Sequence, residues 1–213
     1  MTVTLVDHMG SDLSVVNAAR VSFAKVHKEF KDEADTKLIR YLTKHNHWSP
    51  FGHASLQFHI RAPVFVARQL VKHQVGLTWN EVSRRYVDIE PEFYAPKVWR
   101  GVAENKKQGS SEEEININPR NDMVDDYQKV LSTAKWTYEE LLRKGVCPEQ
   151  ARMVLPQSMM TEWYWSGTLY AFARVCNLRC KDDAQKETQD VGWNIDKHAR
   201  GLFPASWRAL RDE

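Results

Sequence analysis

The chain contains no apolar run near the length of about eighteen residues that crossing a bilayer requires, so none of its 213 residues is expected inside a membrane. It also lacks a Gly-x-Gly-x-x-Gly turn, which excludes a Rossmann cradle as the means of holding any dinucleotide. Cysteine is scarce: Cys147, Cys176 and Cys180 are odd in number and show no CxxC spacing. They predict free thiols in a reducing compartment, the cytoplasm, and neither a disulfide frame nor a zinc knuckle. The opening stretch from Met1 to His8 has no basic leader and no long apolar core, unlike a signal peptide. A charge excess is missing as well. Thirty Lys and Arg against 28 Asp and Glu leave a net charge of +2, too balanced for a protein that coats nucleic acid. Any basic site must therefore be local.

One local site stands out, from Arg68 to Tyr86, where Arg68, Lys72, His73, Arg84 and Arg85 surround a single carboxylate, Glu81. A carboxylate among cations suits a ligand with one anionic end and one polar, neutral end. A nucleotide is such a ligand. Gly76 breaks the helical run that Pro63 opens, and a break directly after a cluster of donors is where a chain can wrap a ligand. The plain alternative is a solvated basic helix with its following loop.

The remaining elements follow from periodicity. Residues 3 to 7 and Ser55 to Ile60 alternate as strands do, and Val87 to Tyr94 reads as an edge or broken strand because of Pro91. Helices are predicted over Asp12–Arg20 with Asp12 as cap, Thr36–His45, Val64 to about Gln74, and Asn121–Lys144 with Gly145 as its stop. Further helices are expected from Pro148 to Leu155 and across the aromatic stretch Gln157–Cys176, with Asp182 or Asp183 capping the next. Lys25 to Asp35 reads as an exposed loop, and residues 101–118 as a mobile loop inside one domain spanning 1–213. Eight tryptophans and seven tyrosines are many for this length; core filling is the default use of each ring, with ligand stacking the other. Strands early and helices late make an α+β domain. His45, His47, His53 and His59 lie close together, but no Cys, Asp or Glu completes a metal pattern, so no metal site is expected.

Five ordered blocks resemble the flavin-dependent thymidylate synthases. Their Arg-His-Arg triplet corresponds to Lys72-His73-Gln74, followed after a spacer one residue longer by Asn80-Glu81, Ser83 and Arg85-Tyr86. Asp12 to Phe23 is similar to the family's N-terminal segment, and His47-Trp48-Ser49-Pro50-Phe51-Gly52-His53 to its His-x-(Ser/Thr)-Pro-Phe-x-His. Ala151-Arg152-Met153-Val154-Leu155-Pro156 resembles Ala-Arg-x-x-Leu-Pro, while Arg179, Ala184, Gln185 and Glu187 fit Leu-Arg-x-x-x-x-Ala-Gln-x-Glu. The tail around Phe203 to Trp207 is similar too.

The resemblance implies a mixed or antiparallel sheet with long helices and the reductive methylation of dUMP to dTMP. Methylenetetrahydrofolate would be the carbon donor, FAD the hydride carrier and NADPH the reductant, with no cysteine nucleophile. It implies Arg179 as the catalytic residue. It implies dUMP contacts from Gln69, Leu70, Val71, Lys72, Glu81, Val82, Ser83, Arg84, Arg85, Arg152 and Arg179, and FAD contacts from His47, Ser49, Lys72, His73, Gln74, Glu81, Thr168 and Arg174. A homotetramer with shared sites is the implied assembly. Lys72 offers a point charge where the family has a planar fork, which predicts looser orientation of whatever it touches. The readings from other classes are a related pyrimidine modification such as hydroxymethylation, a binding module for single-stranded nucleic acid using the same cations and rings, and a hydrolase using the early histidines with a metal.

Overall fold

Period-two alternation organises the centre of the chain. In the computed structural model, which describes residues 1–87, 89–104, 109–111, 113–115 and 122–211, the first two strands are β1 (Thr2–Met9) and β2 (Ser55–Pro63). Leu56, Phe58 and Ile60 of β2 are buried, while Ser55, Gln57 and His59 stay partly exposed on the other face. Two later strands, β3 (Leu77–Glu81) and β6 (Met160–Thr168), complete a four-stranded antiparallel sheet in the order β1, β2, β6, β3. Cross-strand pairs Phe58 with Trp165 and Ile60 with Trp163 make its apolar face, and Trp79 stacks on Trp163 with ring centres 4.4 Å apart. The sheet face is therefore built from large, rigid rings.

Two of these strands correct the sequence reading. Gln157–Cys176 was expected as one buried helix; it is β6 followed by α6 (Leu169–Arg179). Thr161, Trp163 and Trp165 are buried and alternate with Glu162, Tyr164 and Ser166, so the aromatic run has the period of a strand. Thr168 then caps α6, its hydroxyl accepting from the Ala171 N–H at 3.2 Å. Likewise Leu77–Glu81, expected as loop, pairs with β6. Conversely, Val87–Tyr94 forms no strand among its described residues, only an isolated bridge between Phe93 and Met159.

Helices α1 (Asp12–Arg20) and α2 (Asp32–Lys44) join α6, α7 (Lys186–Leu202) and α8 (Pro204–Leu210) in the core with the sheet, where Val15, Ile39, Phe172, Val191, Ile195 and Trp207 are buried. The expected loop over Lys25–Asp35 is shorter than predicted, because α2 begins at Asp32. Its Asp35 is fully buried, pairs with Arg20 and accepts from the Lys31 N–H at 2.8 Å. Asp12 does not cap its own helix. Its carboxylate accepts from the N–H groups of Ala205 at 2.9 Å and Ser206 at 2.8 Å, capping α8 across the fold. Neither Asp182 nor Asp183 caps α7, which starts after Gln185.

The short helix α3 (Val64–Leu70) follows β2 directly and stops earlier than predicted. β4 (Trp99–Arg100) and β5 (Glu114–Ile115) pair as a small ladder inside the segment expected to be a loop; residues 105–108, 112 and 116–118 of that segment lie outside the described residues. Helix α4 (Asp122–Arg143) runs to a stop at Gly145, whose φ of 83° suits glycine. Helix α5 (Pro148–Ala151) passes into a 3₁₀ turn at Arg152–Val154, where a continuous helix to Leu155 was predicted. Among the described residues no helix is long and apolar enough to cross a membrane.

Candidate active site

A cleft of about 500 Å³ opens between β3, β6, the chain after Glu81, and the α5 turn. It collects Glu81, Val82, Arg84 and Arg152 from the sequence-predicted set, with Arg61 and Arg68 beside them. Strand pairing positions Glu81: its carboxylate accepts from the Thr161 hydroxyl at 2.8 Å and from the Trp79 indole N–H at 3.1 Å. Arg84 is held by the carbonyls of Ile89 and Glu90. Ser83 accepts from Arg85 Nε at 3.3 Å, and Arg85 approaches Glu149 at 3.7 Å. Among the described residues the side chains of Arg68 and Arg152 have neither a hydrogen bond nor an ion pair, although both residues line the cleft. Two guanidinium groups without a paired carboxylate have the chemistry that takes an anion.

A second cluster forms where the turn after α3 meets the end of α6. Arg179 Nε donates to His73 Nε2 at 3.0 Å. Burial, helped by the charges of Arg179 and Arg174, pulls His73 down from 6.5 to about 4, so its ring is neutral at physiological pH and can accept that bond. Lys72 and Gln74 on either side are exposed; the triplet sends its histidine inward and its flanks outward. Gln69, one turn earlier, is half-buried and bonded to Gln185 and Thr188. Leu70 spends its side chain in the core, and Val71 is half-buried. None of Gln69, His73, Arg174 and Arg179 lines the cleft that holds Arg84 and Arg152.

A third feature adjoins the second. A recess of about 160 Å³ is lined by Asn46, His47, Trp48, Tyr170, Arg174 and Asn177, among others. The rings of Trp48 and Tyr170 lie 6.4 Å apart, and Trp48 is 59% exposed. The Trp48 and Tyr170 rings beside the Arg174 guanidinium and the His47 imidazole form a set that fits a flavin dinucleotide, rings for its planar system and hydrogen-bond donors for its pyrophosphate. The recess has room for only part of such a molecule. Ser49 is exposed at the start of the Ser49–His53 turn, whereas Thr168 is engaged as the α6 cap.

Sequence reasoning quoted Gln185 and Glu187 without giving them a task, and it missed Tyr94, Arg100 and Thr188. All five belong to one hydrogen-bonded network around Gln69. The only sequence signal was a carboxylate at the start of a helix whose other face is apolar; its burial to 4% exposure is a tertiary fact.

Residues 4–205 match the family described as thymidylate synthase complementing protein. The chain is similar to the flavin-dependent thymidylate synthase of Thermus thermophilus, with 37% identity over 215 residues, 99% of this chain and 75% of the relative. It is 39% identical over 207 residues to the flavin-dependent thymidylate synthase of Thermosipho africanus, across 97% of this chain and 89% of the other. Among solved structures, a UMP/dUMP methylase, PolB from Streptomyces cacaoi bound with 5-Br dUMP, superposes with a TM-score of 0.87. That likeness has 31% identity and covers 99% of this chain and 94% of that one.

Proposed function

The chain belongs to the thymidylate synthase complementing protein family, and from that premise we propose that it works as a flavin-dependent thymidylate synthase. It converts dUMP to dTMP with methylenetetrahydrofolate as carbon donor and NADPH as reductant. FAD, when bound, supplies the hydride. The observation that carries this reading onto the chain's own residues is the division of charge: unpartnered Arg68 and Arg152 in a cleft fit for a phosphate, and Arg179 steadied by a neutral histidine.

The phosphate end of dUMP would be taken by Arg84, Arg85 and Arg152 with Ser83, since guanidinium forks match phosphate oxygens. Val82 lines the same cleft, and Glu81, fixed by Thr161 and Trp79, presents an acceptor to a sugar or base group. Arg179 would face the base. A fixed cation beside the ring stabilises the anionic charge that develops as C5 becomes nucleophilic, which removes the need for a cysteine adding at C6. His47, Ser49, His73 and Arg174 would hold FAD, with Lys72 and Gln74 reaching it from the surface.

Arg179 does not line the cleft that holds Arg84 and Arg152, and this supports sites completed by a neighbouring copy, in a homotetramer. Three free thiols support a reducing location, the cytoplasm. The solved relative that acts on UMP as well as dUMP gives a reason to assay both nucleotides.

The test is a visible spectrum of the purified protein with added FAD, followed by titration with dUMP and UMP, and then product analysis with methylenetetrahydrofolate and NADPH. A flavin band that shifts with dUMP, and dTMP as product, bear the reading out. A hydroxymethylated product would move it to the related pyrimidine modification. FAD that stays free and unresponsive would remove it, leaving single-stranded nucleic acid as the ligand to test.

A further inference from the structure

Gln69 is a half-buried amide whose two ends, one carbonyl and one NH₂, are nearly the same shape and opposite in hydrogen-bonding sense. An amide can serve a nucleotide only when the correct end faces it, so something must set the orientation. Its Oε1 accepts from the Thr188 hydroxyl at 3.2 Å, and its Nε2 donates to Gln185 Oε1. Gln185 is a second amide with the same ambiguity. Its Nε2 in turn donates to Glu187 Oε2 at 3.1 Å. There the ambiguity ends, because a carboxylate can only accept.

Glu187 is 4% exposed and lies in the first turn of α7, where the helix N-terminus favours negative charge. Its other oxygen, Oε1, accepts from Arg100 at 2.7 Å and from the Tyr94 hydroxyl at 3.3 Å. Arg100 is itself steadied by Ser110 Oγ, 2.8 Å from its Nε. Burial pushes the Glu187 carboxyl up, but the Arg100 bond and charge outweigh it and hold the group below its ordinary value. Burial and Glu187 together push Tyr94 up to about 12, so its hydroxyl remains a donor.

We propose that Glu187 is a positioning residue: clamped by Arg100, its carboxylate fixes the sense of the Gln185 amide, which fixes the sense of the Gln69 amide presented to the nucleotide. An ionised Glu187 forces Gln185 to turn its NH₂ inward and its carbonyl toward Gln69, and Gln69 must answer with its own NH₂. One N–H and one lone pair of Gln69 are left for ligand. A neutral amide in place of this carboxylate could donate or accept, and the whole relay could then run either way. The inference rests on the dUMP reading, through the contact with dUMP that the family resemblance implies for Gln69.

The experiment is a double-mutant cycle on the FAD-loaded enzyme, reading KM for dUMP separately from kcat. Wild-type turnover and the dUMP-induced flavin shift come first; their absence overturns the dUMP reading itself. With those in hand, Glu187→Gln is expected to raise KM for dUMP about fivefold, the size of one net hydrogen bond, with kcat changed less. In a Gln69→Ala background the same substitution should add nothing. Arg100→Met, which removes the cation that keeps the buried Glu187 ionised and in place, should repeat the pattern and serves if Glu187→Gln folds poorly. An unchanged KM in both single variants, or the same increments with and without Gln69, overturns the proposal, since a purely structural role acts independently of the Gln69 amide.

Discussion

Arg179 donates from its Nε to His73, and the proposed chemistry rests on this pair. Removing the guanidinium by Arg179→Ala takes away the fixed cation beside the base; kcat is expected to fall by about 10²- to 10³-fold, as for loss of one preorganised donor. Single-turnover rates of flavin oxidation in the presence of dUMP measure this. His73 carries a pH signature whose sign follows from its depression from 6.5 to about 4. Between those values an unfolded chain takes up a proton on this ring while the folded chain does not. Stability is therefore full above 6.5 and is lost as pH falls toward 4. His73→Gln, which still accepts from Arg179, should flatten that share of the acid decline; melting temperatures of both proteins from pH 7 to 4 give the comparison. Of the predicted residues at this scale, Arg84, Arg152, Glu81 and Val82 line one cleft. Leu70 was legible only as a neighbour of Gln69, and its burial turns its side chain to the core.

At the scale of elements, β6 decides the site. It separates β2 from β3, pairs with Glu81 through Trp163, and hands the chain to α6, which ends at Arg179. Gly167 in that strand is approached closely from β3: a Cβ there would lie 2.4 Å from the Gly76 carbonyl oxygen and 3.2 Å from Leu77 Cα. Both are backbone atoms, so β3 would have to move. Gly167→Ala is expected to cost roughly 1–3 kcal/mol, the usual range for overpacking, and to weaken dUMP binding by displacing Glu81. Urea unfolding and a dUMP titration measure the two effects. The strand itself was misread because Trp163, Tyr164 and Trp165 form a continuous aromatic run, and short apolar runs do not distinguish strand from helix. The alternation of Glu162, Tyr164 and Ser166 with Thr161, Trp163 and Trp165 was the available signal. Leu77 and Trp79 carried the same signal for β3. In contrast, the span Asp12–Arg20 was legible from its apolar spacing, although its cap is Ser11 and not the expected Asp12.

For the whole molecule, the separation of Arg152 from Arg179 on one chain predicts complementation. Arg152→Ala and Arg179→Ala variants should each be nearly inactive alone. Co-assembled at equal amounts, and with each composite site drawing the two residues from different copies, about a quarter of sites would regain both. Activity of mixed and unmixed samples, with the mass of the assembly measured alongside, tests this; no recovery in a confirmed mixed assembly would mean that each chain builds its own site.

The sequence by itself determined the family, the cations and their types, most helices and the absence of a Rossmann cradle, because motifs and the 3.6-residue period are local properties. Only the tertiary structure decided that His73 is neutral, that Asp12 caps a helix far along the chain, and that Glu187 reaches Gln69 through Gln185. Burial and hydrogen-bond partners across distant segments set those states, and no window of sequence contains both partners.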